Sequence, residues 1–170
     1  MSQRRRILIG AAGILLLLCF YLFWSSHIAR LSESAIAPTF DEGLASTLMG
    51  EKYGYINQSG QVVIEPRYDE AHEFSDGLAP VRVGFRWNYI DKTGAVKITV
   101  NGAELVFPFR EGLAPVVVGG KWGFIDTKGN MVIEPKFDDA TSFSNGVASV
   151  RMGALRGDVD KTGNFVERNR

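Results

Sequence analysis

Cysteine occurs once among the 170 residues, histidine twice and proline six times. Cys19 stands inside an apolar run, and residues 20–170 contain no thiol, which excludes a disulfide framework, a cysteine nucleophile and a thiolate metal centre from that part. Past His27 the only histidine is His72, so histidine-ligated zinc has no ligand set. A Ser-His-acid triad would rest on His72 alone, with no Gly-x-Ser-x-Gly turn nearby. Residues 1–30 lack Asp and Glu altogether while carrying Arg4, Arg5, Arg6 and Arg30. The other residues, 31–170, hold 15 basic and 19 acidic side chains, a net of −4. A clustered positive face, which phosphate backbones require, is therefore missing, and a nucleic-acid partner is excluded. The whole-chain balance of 19 against 19 averages two unlike pieces.

The first piece reads as a membrane anchor. Ile7 to Trp24 is an 18-residue run without charge, about 27 Å long as a helix and close to the roughly 30 Å of a bilayer's hydrocarbon. Arg4 to Arg6 precede it, and Tyr21 and Trp24 sit at its far end, where amphipathic rings favour the interface. The expectation is a cytoplasmic segment over 1–6, a transmembrane signal anchor over 7–24 and a linker over 25–39. The repeat domain, 40–170, is then exported from a bacterial cytoplasmic membrane, with the N-terminus inside. A cleaved signal peptide is the competing reading, but its apolar stretch is shorter and ends in a small-x-small site; the best such triplet, Ala35-Ile36-Ala37, lies far downstream and is followed by Pro38.

The second piece is a repeat. Phe40-Asp-Glu-Gly-Leu-Ala returns as Phe74-Ser-Asp-Gly-Leu-Ala, Phe109-Arg-Glu-Gly-Leu-Ala and Phe143-Ser-Asn-Gly-Val-Ala. Tyr53-Gly-Tyr-Ile-Asn, Trp87-Asn-Tyr-Ile-Asp, Trp122-Gly-Phe-Ile-Asp and Arg156-Gly-Asp-Val-Asp keep the same spacing, as do Gly60, Gly94, Gly129 and Gly163. Three markers in one register define units 40–73, 74–108, 109–142 and 143–170. Within a unit, alternating runs such as Leu78-Ala-Pro-Val-Arg-Val are joined by Asp-x-x-Gly turns, the pattern of a hairpin. The fold class expected is all-β: an array of about four antiparallel meander repeats of 34–35 residues, each with about three short strands, preceded by the one N-terminal helix. A single unit cannot cover its own apolar face, so neighbours must stack.

Trp122-Gly-Phe-Ile-Asp, Gly129, Ile133-Glu-Pro-Lys-Phe-Asp and Phe109-Arg-Glu-Gly-Leu-Ala-Pro-Val together resemble the WG-repeat family of bacterial proteins. The resemblance spans about residues 40–166. It implies an all-β array, often exported or membrane-attached, with no shared catalytic residues. Trp-Gly is intact only at Trp122-Gly123; Tyr53, Asn88 and Arg156 replace one member elsewhere.

The acids fall into repeat columns, which argues against chemistry. Glu42, Asp76 and Glu111 share one column with Asn145, and Asp91, Asp126 and Asp160 share another with Asn57. Asn serves where a side chain bonds a turn but cannot act as an acid or nucleophile. No catalytic residue, metal ligand or cofactor is assigned, and a calcium site at Asp69, Glu70, Glu73, Asp138 and Asp139 has no defensible ligand spacing. The aromatic column Tyr53, Trp87 and Trp122 is expected in the core, with sugar stacking as the alternative. The second unit departs most: Leu105, Val106, Phe107 and Pro108 are apolar where other units are polar, and form a candidate partner-binding patch. These features describe a membrane-anchored, non-enzymatic module for protein binding or scaffolding. A cell-wall glycan-binding module is the alternative, and a glycan hydrolase with paired carboxylates a weaker third.

Overall fold

The computed structural model describes residues 38–168. The signal anchor expected over 7–24, and nearly all of the linker, lie outside the described residues. Among those described, no helix is long and apolar enough to cross a membrane. The described chain is all-β, built as four antiparallel meander sheets. The first holds β1 (Leu44–Met49), β2 (Lys52–Asn57) and β3 (Val62–Tyr68). The second holds β4 (Glu70–Ala71), β5 (Ala79–Val83), β6 (Arg86–Ile90) and β7 (Val96–Val100). The third holds β8 (Ala103–Val106), β9 (Leu113–Val118), β10 (Lys121–Asp126) and β11 (Met131–Phe137). The fourth holds β12 (Asp139–Ala140), β13 (Val147–Met152), β14 (Leu155–Asp160) and β15 (Phe165–Glu167). Strands within each sheet follow chain order.

Each apolar cluster is shared by two successive sheets. Leu44, Tyr55, Ile64 and Tyr68 of the first sheet meet Ala79, Val81 and Ile90 of the second. Leu78, Tyr89 and Ile98 of the second meet Ala114, Val116 and Ile125 of the third. Leu113, Phe124, Ile133 and Phe137 of the third meet Ala148, Val150 and Val159 of the fourth. Leu78 and Ala79 thus point into different clusters, as strand alternation demands. The first three sheets each offer their large side chains to the next, which answers with Ala and Val from its second strand and one Ile or Val from its third. At about 1.5–3 kcal/mol for each large apolar side chain removed from water, this stacking is the main stabilising term. Buried tyrosines add hydrogen bonds across the same seams: Tyr55 Oη donates to the His72 carbonyl and Tyr89 Oη to that of Phe107, both at 2.8 Å.

The sequence units and the sheets are out of phase. Cutting at the repeated Phe places β4, β8 and β12 at the end of one unit, whereas the chain pairs each with the strand after the Phe: Ala71 opposite Val81, Val106 opposite Val116, Ala140 opposite Val150. Each repeat therefore supplies the first strand of the following sheet. That interlock ties neighbours together by backbone hydrogen bonds as well as by packing.

The Gly of the Trp-Gly pair has a steric cause that lies in the next strand. Register slips between Tyr53 and Tyr55 opposite β3, and between Trp122 and Phe124 opposite β11. The extra residues of the bulge are the Glu-Pro-Arg and Glu-Pro-Lys segments, and proline suits a bulge because it has no N–H to pair. Backbone lies against the glycine at both bulges: a Cβ at Gly54 would lie 2.5 Å from the Ile64 carbonyl oxygen, and at Gly123 2.6 Å from that of Ile133; at Gly157, opposite a ladder without a slip, it would lie 2.3 Å from that of Val166. In the second sheet the ladder runs unbroken from Trp87 opposite Val100 to Tyr89 opposite Ile98. In that ladder Asn88 stands where the glycine would. Gly123→Ala should cost about 2–4 kcal/mol, a backbone clash that no rotamer relieves, while Asn88→Gly should cost no more than about 1 kcal/mol. Chemical denaturation of both variants measures the contrast, and equal losses would show that the bulge is not the cause.

Candidate functional site

Most charged side chains that could do chemistry are occupied by the fold. In the first acidic column Glu42, Asp76, Glu111 and Asn145 have φ of 50–55° and each precedes a glycine with φ of 79–89°, the mirror-image two-residue turn that suits a hairpin. Their side chains reach forward to the next repeat's turn. Glu42 accepts the Gly77 N–H at 3.1 Å, Asp76 that of Gly112 at 2.7 Å and Glu111 that of Gly146 at 3.0 Å. Lys92 and Lys161 return the contact, donating to the Glu42 and Glu111 carbonyls and lying 3.1 Å from their carboxylates. Asn145 ends the relay in the last repeat. The sequence points to a turn at these positions but not to this sheet-to-sheet staple, which joins residues 35 or 36 apart.

The second column bonds its own turn. Asp160 accepts the Thr162 N–H at 2.9 Å, the Thr162 hydroxyl at 2.7 Å and the Asn164 N–H at 3.0 Å; Asn57, Asp91 and Asp126 make the matching bonds to their own turn amides. The Thr162 hydroxyl and the Asn164 side chain push the Asp160 carboxyl down to about 2, and Thr93 with Lys97 pushes that of Asp91 down as well. The five acids considered for calcium are dispersed. Asp69 pairs with Lys52 at 2.5 Å and accepts the Gly84 N–H at 2.6 Å; Glu70 binds Arg82, Glu73 binds Arg110, and Asp138 pairs with Lys121. Among the described residues no three metal-ligating side chains converge.

The aromatic column divides. Trp87 is 2% exposed, with its Nε1 donating to the Glu104 carbonyl at 3.1 Å and the His72 ring 5.8 Å away. Tyr53 and Trp122 are half-buried, and Phe107 stacks on Trp122 at 5.0 Å. The innermost rings are instead those two residues on, Tyr55, Tyr89 and Phe124.

The candidate patch Leu105–Pro108 needs correcting. Val106 is 2% exposed and lies in the core. It pairs with Val116 as Ala71 does with Val81, so its counterpart is Ala71, not His72. The extra residue of the second repeat falls before it, at the Asn101-Gly102 turn, and a slip of one residue exchanges the two faces of a strand. Phe107 then corresponds to His72, and both pack on a tryptophan. Pro108 is half-buried. Only Leu105, 46% exposed, presents apolar surface.

That surface continues onto a residue the sequence reading passed over. Phe85 is 100% exposed. It sits at the β5–β6 hairpin tip, after Gly84 with φ of 59°, where the other sheets carry Glu51, Gly120 and Ala154. A phenylalanine in that column of small and polar residues is the signal that could have found it. Phe85 and Leu105 line a hollow of about 480 Å3 together with Glu70, Arg82, Trp87 and Glu104. Neighbouring Val83 is exposed too. The hollow is thus lined by apolar side chains, an indole and the Arg82–Glu70 ion pair.

Antiparallel meander sheets stacked in series make a β-repeat array. Residues 53–87, 104–122 and 122–155, about half the chain, match the family described as WG containing repeat, and the chain belongs to that family. Two solved structures of Kluyveromyces lactis Hsv2 share the fold. The one described as having a complete loop 6CD is 11% identical over 77% of this chain and 48% of its own, and the one with loop 6CD replaced by a Gly-Ser linker is 11% identical over 75% and 49%, each at TM-score 0.53. The chain spans about half the length of these neighbours. No curated protein sequence matches it.

The turn carboxylates make acid the natural denaturant. A carboxyl near 3.8 when unfolded and near 2 when folded, as at Asp160, adds stability that is fully present above about pH 4 and is lost as the pH falls through about 2. The melting temperature should drop across that window. Asp91→Asn with Asp160→Asn keeps the turn acceptors, as Asn57 does, and should flatten the drop; unchanged pH profiles would detach these groups from folding.

Proposed function

We propose that the protein is a membrane-anchored, exported repeat module that binds a protein partner through the Phe85–Leu105 hollow, without catalysis of its own. The carrying observation is the fully exposed Phe85 on a tight turn beside that hollow. An aromatic ring left in water costs solubility and is ordinarily retained where a partner covers it. The Arg82–Glu70 pair at the hollow's side gives the partner a polar anchor next to an apolar one, the usual make-up of a protein interface. Supporting the non-enzymatic part, the two acid columns are engaged in turns and inter-sheet staples. Supporting anchoring, residues 7–24 carry an uncharged run behind three arginines. The anchor would hold the repeats outside the cytoplasmic membrane, where the partner is another exported or membrane protein. The glycan alternative draws less support, because Trp87 is buried and Phe107 covers one face of Trp122.

A photo-crosslinking phenylalanine analogue at position 85 of the full chain, in intact cells, should give a discrete protein adduct, while the same analogue at Glu51, the equivalent tip of the first sheet, should not. Phe85→Ser should weaken capture of the adduct protein by about 30-fold, equivalent to about 2 kcal/mol. Identical adducts from both positions, or none from position 85, would remove the basis for this reading.

A further inference from the structure

The fourth sheet carries a second hollow, of about 200 Å3, in the position that the Phe85 hollow occupies on the second. Asp139 stands for Glu70, Arg151 for Arg82 and Arg156 for Trp87. Where the second sheet receives Glu104 and Leu105 of the third, this one receives Arg168. An indole is thus exchanged for a guanidinium, and the space the ring fills elsewhere is left lined by three arginines and the hydroxyls of Thr141 and Ser149.

The three arginines are not alike. Arg168 is bound by Asp158 and also donates to the Ser149 hydroxyl at 2.7 Å. Arg151 lies 3.6 Å from the Asp138 carboxylate. Asp139 lines the hollow as well and is exposed. Among the described residues no carboxylate lies within ion-pair distance of Arg156, and Arg156 lines the hollow. A planar fork of donors without a carboxylate, beside hydroxyls and above the apolar backing of Ala140, Val150 and Gly157, is suited to an oxyanion. The volume is below the roughly 300–1,000 Å3 of drug-sized pockets, so what enters is one compact group. We propose that this hollow binds an oxyanion carried on a sugar-sized body, a carboxylate or a phosphate, with Arg156 as its principal ligand and Thr141 and Ser149 as neutral partners. It sits on a different sheet from the protein-binding hollow and stands or falls separately from it.

The test uses the full chain in detergent micelles, following the arginine Nε–Hε resonances while sodium glucuronate or sodium phosphate is added, with sodium chloride at matched ionic strength and neutral glucose as controls. A saturable shift of the Arg156 signal is expected with at least one of the two anions at millimolar concentration and with neither control. The stronger anion tells a glycan carboxylate from a phosphate. Arg156→Gln should weaken binding by at least about tenfold. Arg156→Lys, which keeps the charge but loses the fork, should weaken it less. Arg156→Trp, which restores the ring found in this column elsewhere, should abolish it. Shifts that chloride reproduces, that persist in Arg156→Gln, or that never saturate would overturn the proposal.

Discussion

A sheet in this molecule has one face of large side chains and one of small, and neither is covered by its own repeat. Leu78, Tyr89 and Ile98 find their complement only in Ala114, Val116 and Ile125 of the next sheet. Most other features follow from that dependence. The first strand of a sheet belongs to the preceding sequence unit, the buried tyrosines donate across the seam, and the acidic turn residues bond the following turn rather than their own. Packing is worth most per contact, but it slides easily. The directional bonds from Glu42, Asp76 and Glu111 fix the offset between neighbours, which is why a charged residue is held at positive φ in three successive turns.

What the sequence made legible is what repeats. Period, strand content, the hairpin turns and the family resemblance follow from motifs in register, because any side chain that recurs every 34 or 35 residues is answering the same local geometry each time. The Asx-type turns were readable for the same reason, since Asp and Asn interchange only where the acceptor is the point. What could not be read was anything that crosses a seam. The acid staple joins residues 35 or 36 apart, a distance at which a sequence shows identity but not contact. The phase of the sheets was hidden likewise, since a repeat can be cut anywhere and only the hydrogen bonds say where a sheet begins.

The slip at Val106 shows how an insertion misleads. One added residue at the Asn101-Gly102 turn makes a constant offset place Val106 on His72, and so makes a core valine look like an exposed one. Pairing sets the offset one residue differently, and the apparent apolar patch dissolves into a core residue and a ring stacked on Trp122. The anomaly that survives is Phe85, which a search for recurring motifs passes over because only the tip glycine recurs (Gly50, Gly84, Gly119, Gly153) and the residue after it differs in every sheet.

The ends of the array obey another logic. In the fourth sheet the residues matching Tyr89 and Trp87 are Asp158 and Arg156, and Val166 stands opposite Asp158 as Ile98 stands opposite Tyr89. Two large aromatic positions have thus become charged, while Val147 and Val166 stay apolar and exposed, and Arg168 pairs with Asp158. Replacing apolar side chains by ions removes the demand for a neighbour, as terminal repeats require. The same replacement also opens a hollow that the ring used to fill. Among the described residues Arg156 has no carboxylate within ion-pair distance and is exposed; a guanidinium in that state would be costly if buried between two sheets, and solvent removes that cost here.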